Sequence, residues 1–162
     1  MEMFDLSALV FLGLMAVSTS VGAYYRPAVW HEDLHKPWWA PPDWFLPAMW
    51  SLIFIGVGLA GWLVWRSGHE GATVPLVLWG IQLVLCAIWS WIFYVKQSRA
   101  WAFIDNVAII IASVGFIVTA WPFSQMASCL FSIYLLWTIG AASVALVLWK
   151  THTKEHLERL IA

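Results

Sequence analysis

Polar and aromatic side chains recur at helical spacing in two apolar stretches of the sequence, and they are the residues best suited to bind a ligand. Gln82, Cys86 and Trp89 are separated by four and three residues, which places them on one face of a helix. Tyr134 and Trp137 share a face of a second helix. An amide in hydrocarbon is costly unless it finds a partner, so we expect Gln82 to point inward, toward protein or a cavity. A hydrogen bond between helices, with no ligand, remains an alternative.

A segment rich in tryptophan and proline, residues 36–50, separates two apolar stretches. Its four tryptophans are Trp38, Trp39, Trp44 and Trp50, and it also contains four prolines. Proline lacks an N–H and favours extended geometry in the residue before it, so the first part of this segment resists helix formation. Tryptophan favours the boundary between hydrocarbon and water. The composition predicts a rigid aromatic lid at a membrane face.

Catalytic and metal-binding patterns are weak in this sequence. His31 and His35, like His152 and His156, have the i, i+4 spacing that can bind zinc on a helix. Neither pair has a clear third ligand, so we predict no metal site. The sequence contains no GxSxG, Walker or CxxC motif, and it offers no conventional acid–base pair. We therefore predict no catalytic residue and no obligatory cofactor.

Asp105 is an acidic residue about one turn inside the fourth apolar stretch. An acid within a membrane span is a functional candidate by default. A structural role is the favoured interpretation, because an acid near the beginning of a helix stabilises the helix dipole. Asp105 is also expected on the same side of the membrane as Arg99, Arg26 and Lys36, with which it could pair.

Membrane-spanning helices are the elements that must position these residues. Hydrophobic residues make up 62% of the 162-residue chain and charged residues 10%, whereas soluble domains carry about 25% charged residues. Five apolar runs reach the length of about 20 residues that a bilayer requires. They are residues 6–25, 44–65, 74–95, 101–121 and 127–149. Some tryptophans near the ends of these runs are expected to anchor the protein at the membrane surface: Trp62, Trp65, Trp101, Trp121 and Trp149. Short connections make consecutive helices antiparallel neighbours. The sequence predicts an all-α membrane protein, a five-transmembrane-helix bundle with a Trp/Pro-rich loop between helices 1 and 2, forming one domain over residues 1–162.

The distribution of charge predicts the topology. Seven of the eight Lys and Arg residues fall on the side of the Trp/Pro-rich loop and the C-terminus, which predicts a cytoplasmic location for both if the host is a bacterial inner membrane. An outer membrane remains an alternative. Glu2 and Asp5 precede the first apolar run, so we interpret that run as an uncleaved span rather than a signal peptide. The net charge of −1 argues against a nucleic-acid partner.

Several motifs, in this order over about residues 6–150, resemble the TspO/MBR family, which comprises tryptophan-rich sensory proteins and the mitochondrial translocator protein. The most specific is Lys36-Pro37-x-Trp39-x-Pro41-Pro42-x-Trp44 followed by Pro47-x-x-Trp50. The others are Leu63-Val64-Trp65-Arg66, Gln82-Leu83 with Trp89, Trp101-Ala102-x-x-Asp105, and Tyr134-Leu135-x-Trp137.

The resemblance implies a five-helix bundle, commonly dimeric, with a pocket beneath the first loop. It implies binding of tetrapyrroles such as protoporphyrin IX or haem, or of similar hydrophobic molecules, by a stress sensor, regulator or carrier. By position, the implied pocket residues are Trp39, Trp50, Trp89, Tyr134 and Trp137, with Trp38, Trp44 and Cys86 as neighbours. Arg26 or Lys36 near the loop could meet a propionate. Porphyrin breakdown by a photoenzyme and a membrane scaffold with a diverged pocket are the alternative functions.

The chain departs from the family pattern at several positions. It has Cys86 and Ala145 where family members usually carry asparagine, and Trp91 and Ile133 where they usually carry proline. The central tyrosine of the sterol-associated motif is absent from Leu146-Val147-Leu148-Trp149-Lys150. The two substitutions of asparagine remove amide groups from the implied pocket wall, so we expect a ligand preference that differs from that of other members.

Overall fold

The computed structural model describes residues 6–25 and 44–161, and within these ranges the regular structure is entirely helical. The five α-helices are α1 (Leu6–Tyr25), α2 (Phe45–Arg66), α3 (Thr73–Tyr94), α4 (Arg99–Ala120) and α5 (Gln125–Ile161). A short 3-10 helix, Glu70–Ala72, leads into α3. The predicted spans agree with these helices at nearly every end, except that α5 continues beyond the predicted end at residue 149 through the charged tail to Ile161.

The lengths of the helices suit a bilayer. Four apolar segments of 20 to 25 residues are long enough to cross it: Pro47–Arg66, Glu70–Tyr94, Arg99–Ala120 and Gln125–Val147. Helix α1 has 20 residues, of which Leu6–Ser20 form its apolar part, and a helix of that length extends about 30 Å. The protein is therefore a multi-pass membrane protein built as a five-helix bundle, which confirms the predicted fold class.

The helices pack side by side in a closed ring, in the order α1, α2, α5, α4 and α3. Helix α4 packs against α3 and α5, α5 also packs against α2, and α1 lies against α2 and α3. Phe116 and Phe131 stack across the α4–α5 contact with their ring centroids 3.9 Å apart. The Ser128 hydroxyl donates to the Ile117 carbonyl across the same contact, at 3.0 Å. The core of the bundle is thus aromatic and closely packed at this end.

Two tryptophan N–H groups join neighbouring helices. Trp62 Nε1 donates to the Ser7 hydroxyl oxygen at 3.0 Å, and Trp79 Nε1 donates to the Val57 carbonyl at 2.9 Å. Trp62 is only 4% exposed, so the expectation that it anchors the protein at the membrane surface was wrong. Its position near the end of α2 predicted an anchor, but its side faces α1. The other expected anchors are at least partly exposed: Trp65, Trp101, Trp121 and Trp149.

Glycine permits the closest approach between α2 and α3. A Cβ atom on Gly61 would lie 2.6 Å from the indole of Trp79, far inside van der Waals contact. Gly58 similarly admits Leu12 of α1, whose Cδ2 would lie 3.0 Å from such a Cβ. Small residues at helix interfaces let backbones approach in this way, and α2 contacts α3 and α1 through Gly61 and Gly58.

Candidate functional site

All five helices contribute to one cavity of about 320 Å³. The cavity lies toward the end of the bundle at which α1 ends and α2 begins, because Pro47 near the start of α2 and Tyr94 at the end of α3 both line it. The described lining residues are Thr19, Pro47, Trp50, Ser51, Phe54, Cys86, Trp89, Ser90, Tyr94, Asn106, Ile109, Tyr134, Thr138 and Ala141. None of these carries a formal charge at neutral pH. The lining is therefore a mixture of aromatic rings, hydroxyls and one amide.

Hydrogen bonds between three helices form the floor of the cavity. Gln82 is fully buried, and its Nε2 donates to the Tyr134 hydroxyl oxygen at 2.5 Å. The thiol of Cys86 lies 3.4 Å from the same hydroxyl. Ser113 of α4 donates more weakly to Gln82 Oε1, at 3.5 Å. Gln82 thus points inward, as the sequence predicted, and its amide joins α3 to α4 and α5 just beneath the cavity.

Aromatic rings form the walls. Trp50 stacks on Phe54 with centroids 5.0 Å apart, and it meets the ring of Trp137 edge to face at 5.8 Å. On the α3 side, Trp89 stacks on Phe93 at 4.8 Å with the two rings nearly parallel. Rings held in these arrangements are rigid and stabilise one another. The walls therefore offer flat apolar surfaces with fixed orientations.

Three buried N–H groups at or beside the cavity have no hydrogen-bond partner in the part of the chain that the structure describes. They are Trp89 Nε1, Trp137 Nε1 and Asn106 Nδ2. Asn106 is 3% exposed and lines the cavity. Asn106 was not among the residues predicted from the sequence, although an asparagine within an apolar helix was the available signal. Buried donors that lack a partner are uncommon in proteins, so these groups require an explanation.

The residues predicted to bind a ligand are found in three kinds of position. Those that line the cavity are Trp50, Cys86, Trp89 and Tyr134, while Gln82 and Trp137 contact lining residues from behind. Trp44 is 79% exposed and contacts Phe45, outside the lining. Trp38, Trp39, Arg26 and Lys36 lie outside the described residues. A role in ligand binding stays a prediction for all of them.

Asp105 lies beside the cavity rather than in its described lining. It is 7% exposed, and its Oδ2 has no hydrogen-bond partner in the described ranges. Its proposed partners Arg26 and Lys36 lie outside those ranges, so such pairing stays a prediction. Among the described residues, no three His, Cys, Asp or Glu side chains form a group that could hold a metal ion.

Comparisons with known proteins identify the family to which the chain belongs. The sequence model of the TspO/MBR family matches residues 7–150. The chain is 30% identical to a tryptophan-rich sensory protein of Cereibacter sphaeroides over 84% of this chain and 85% of that one. It is 31% identical to the human translocator protein over 75% of this chain and 73% of that one. It is 36% identical to a tryptophan-rich protein TspO of Chlorobaculum tepidum, over 72% of this chain and 76% of that one. The chain therefore belongs to the TspO/MBR family of membrane proteins.

Proposed function

We propose that this protein binds a tetrapyrrole, such as protoporphyrin IX or haem, or a similar flat hydrophobic molecule in the cavity, and that it acts as a membrane sensor, regulator or carrier. The observation that carries the proposal is the aromatic cavity itself, which is lined by all five helices and walled by Trp50 and Trp89. Its volume of about 320 Å³ lies within the range of small-molecule sites, about 300–1,000 Å³.

The size and chemistry of the cavity support insertion of a ring edge first. A tetrapyrrole macrocycle is larger than a single drug-like ring system, so part of it would extend past the cavity toward the loop of residues 26–43. There we propose that Trp38 and Trp39 cover the ring and that Arg26 or Lys36 pairs with a propionate. The described lining carries no charge, so the carboxylates are best placed at that outer edge, where their desolvation costs least.

Quenching of tryptophan emission by added protoporphyrin IX tests this proposal. The purified protein in detergent should show saturable quenching. Trp50→Leu should weaken binding, because the variant loses a wall of the cavity. Trp121→Leu is the matched control, since it also removes one indole but from an exposed site at the other end of α4. Absence of saturation in the wild type, or equal binding by the two variants, would refute the proposal.

A second candidate function, light-dependent breakdown of a bound porphyrin, is favoured by the edge-to-face contact of Trp50 with Trp137. Indoles can be oxidised, and these two would lie next to a photoexcited porphyrin bound in the cavity. Bleaching in light and oxygen should then be faster with the wild type than with a variant carrying Trp50→Phe and Trp137→Phe. Equal rates at equal porphyrin occupancy would remove this candidate.

The oligomeric state of the protein and its orientation in the membrane are further proposals. We propose a homodimer in a bacterial inner membrane, with the C-terminus and the loop of residues 26–43 in the cytoplasm, because the Lys and Arg residues favour that side. Labelling of single cysteines from either side of intact inner-membrane vesicles would test the orientation. Cross-linking in native membranes would test the dimer.

A further inference from the structure

The polar groups of the cavity lining are mostly satisfied within the chain. The hydroxyls of Thr19, Ser51, Ser90 and Thr138 each donate to the carbonyl four residues earlier in their own helix. The Tyr134 hydroxyl is engaged with Gln82 and Cys86. Such local bonds compete with a ligand for the hydroxyl proton. These groups therefore contribute shape to the cavity more than recognition.

Two residues of the lining are different, because each carries a buried N–H donor from which no described group accepts. The donors are Trp89 Nε1 on α3 and Asn106 Nδ2 on α4. Trp89 lies five residues before the end of α3, and Asn106 lies seven residues after the start of α4. At 1.5 Å per residue these positions are about 8 Å and about 10 Å into the bundle. The two antiparallel helices are packed neighbours, so the two donors lie at a similar depth.

We propose that Trp89 and Asn106 form a subsite that recognises a neutral carbonyl oxygen on the inserted edge of the ligand. An acceptor there satisfies buried donors that are otherwise left unpaired. A carboxylate fits less well, because the described lining provides no cation to offset its desolvation. The inference rests on the proposed function and refines it. Among tetrapyrroles it favours those that carry a ring carbonyl on the edge opposite their carboxylates.

Fluorenone and fluorene are a matched pair of probes for this subsite, since they share one three-ring skeleton and differ by the carbonyl. Cys86 lines the cavity, whereas Cys129 is exposed on α5 away from it. Protection of Cys86 from alkylation by a small membrane-permeant maleimide therefore reports occupancy, and Cys129 is the internal control. Fluorenone should give half-protection of Cys86 at a concentration about five- to tenfold lower than fluorene, which is the ratio expected for one or two neutral hydrogen bonds.

Variants assign the preference to the two donors. Asn106→Leu and, separately, Trp89→Phe should each reduce the ratio to about twofold, since each removes one donor but keeps most of the side-chain volume. Ser90→Ala is the control, because it removes a lining hydroxyl that is already bonded to the Cys86 carbonyl, and its ratio should stay that of the wild type. Trp89→Phe also keeps the test valid if Asn106→Leu fails to fold.

The outcomes separate this inference from the function on which it rests. Equal protection by the two probes in the wild type, protection by neither, or an unchanged ratio in both donor variants overturns the carbonyl subsite. If protoporphyrin IX still binds in those cases, the proposed function stands alone. If protoporphyrin IX does not bind but fluorenone is preferred through both donors, the subsite stands and the tetrapyrrole assignment fails.

Discussion

The hydroxyl of Tyr134 is expected to stabilise the unliganded protein while contributing little to ligand affinity. It accepts from Gln82 Nε2 at 2.5 Å and lies 3.4 Å from the thiol of Cys86. In Tyr134→Phe the ring remains, but Gln82 Nε2 keeps only the thiol of Cys86, 3.9 Å away. Because Gln82 has no exposed surface, water cannot readily replace the lost partner. The change therefore isolates one buried hydrogen bond.

The expected loss of unfolding free energy in Tyr134→Phe lies between two limits. A buried polar group that loses its partner costs roughly 1–3 kcal/mol, whereas hydrogen bonds between membrane helices average about 0.6 and reach about 1.7 kcal/mol. We expect Tyr134→Phe to lower the free energy of unfolding by about 1.5 kcal/mol, near the upper membrane value because the site is fully buried. Gln82→Met should cost about 1 kcal/mol, and the double variant about 1.5 kcal/mol, since removing both partners leaves neither unsatisfied.

A double-mutant cycle measures this coupling. The wild type, both single variants and the double variant are unfolded by SDS in mixed micelles, and loss of helix is followed by circular dichroism at 222 nm. The expected coupling is about 1 kcal/mol. Affinity for protoporphyrin IX should stay within about twofold in Tyr134→Phe, since the hydroxyl is already engaged. Additive costs would refute the buried bond, and a large loss of affinity without loss of stability would show that the hydroxyl serves the ligand.

Two further predictions concern the contacts of α2. Gly61→Ala should lower the free energy of unfolding by about 1–3 kcal/mol, because the new methyl group would overlap the indole of Trp79. Gly140→Ala, at an open position on α5, should not destabilise the protein. Equal thermal midpoints of the two variants in detergent would contradict the close packing at Gly61. Trp62→Phe should destabilise the protein by about 1 kcal/mol, because it loses the hydrogen bond to Ser7 of α1. Trp65→Phe, at an exposed position, should lower the thermal midpoint much less. A larger effect of Trp65→Phe than of Trp62→Phe would show that the bond between Trp62 and Ser7 does not stabilise the bundle.

The ends of the helices and the inward direction of one polar residue could be predicted from the sequence. Apolar runs of bilayer length end where charge, proline or glycine appears, so the ends of α3 at Thr73 and Tyr94 were predicted to within one residue. Gln82 had to face protein because hydrocarbon cannot satisfy an amide. These predictions depend on the bilayer as solvent, and they need no knowledge of how the helices are rotated against one another.

The rotation and contacts of the helices could not be predicted in the same way. Asp105 and Asn106 are consecutive polar residues, and their side chains point about 100° apart on a helix. Asp105 was the residue considered from the sequence, with a structural role favoured, whereas the neighbouring Asn106 lines the cavity. Trp62 was misplaced for a similar reason, because its distance from the end of α2 does not reveal which face α1 covers. The close approach at Gly61 also depends on where the Trp79 indole falls.

The contacts that stabilise the bundle and the proposed ligand-binding cavity lie at opposite ends of the molecule. At the end away from the cavity, Trp62 bonds to Ser7, Ser128 bonds to Ile117 and two phenylalanines stack. These contacts join α1 to α2 and α4 to α5 whether or not the cavity is filled, and the Trp79 bond joins α3 to α2. A bundle fixed in this way tolerates unpaired donors at its other end, because the stabilising contacts outweigh the free-energy cost of leaving those donors unsatisfied. If a ligand accepts from these donors as proposed, the same cost is relieved on binding, and the unsatisfied donors contribute to affinity.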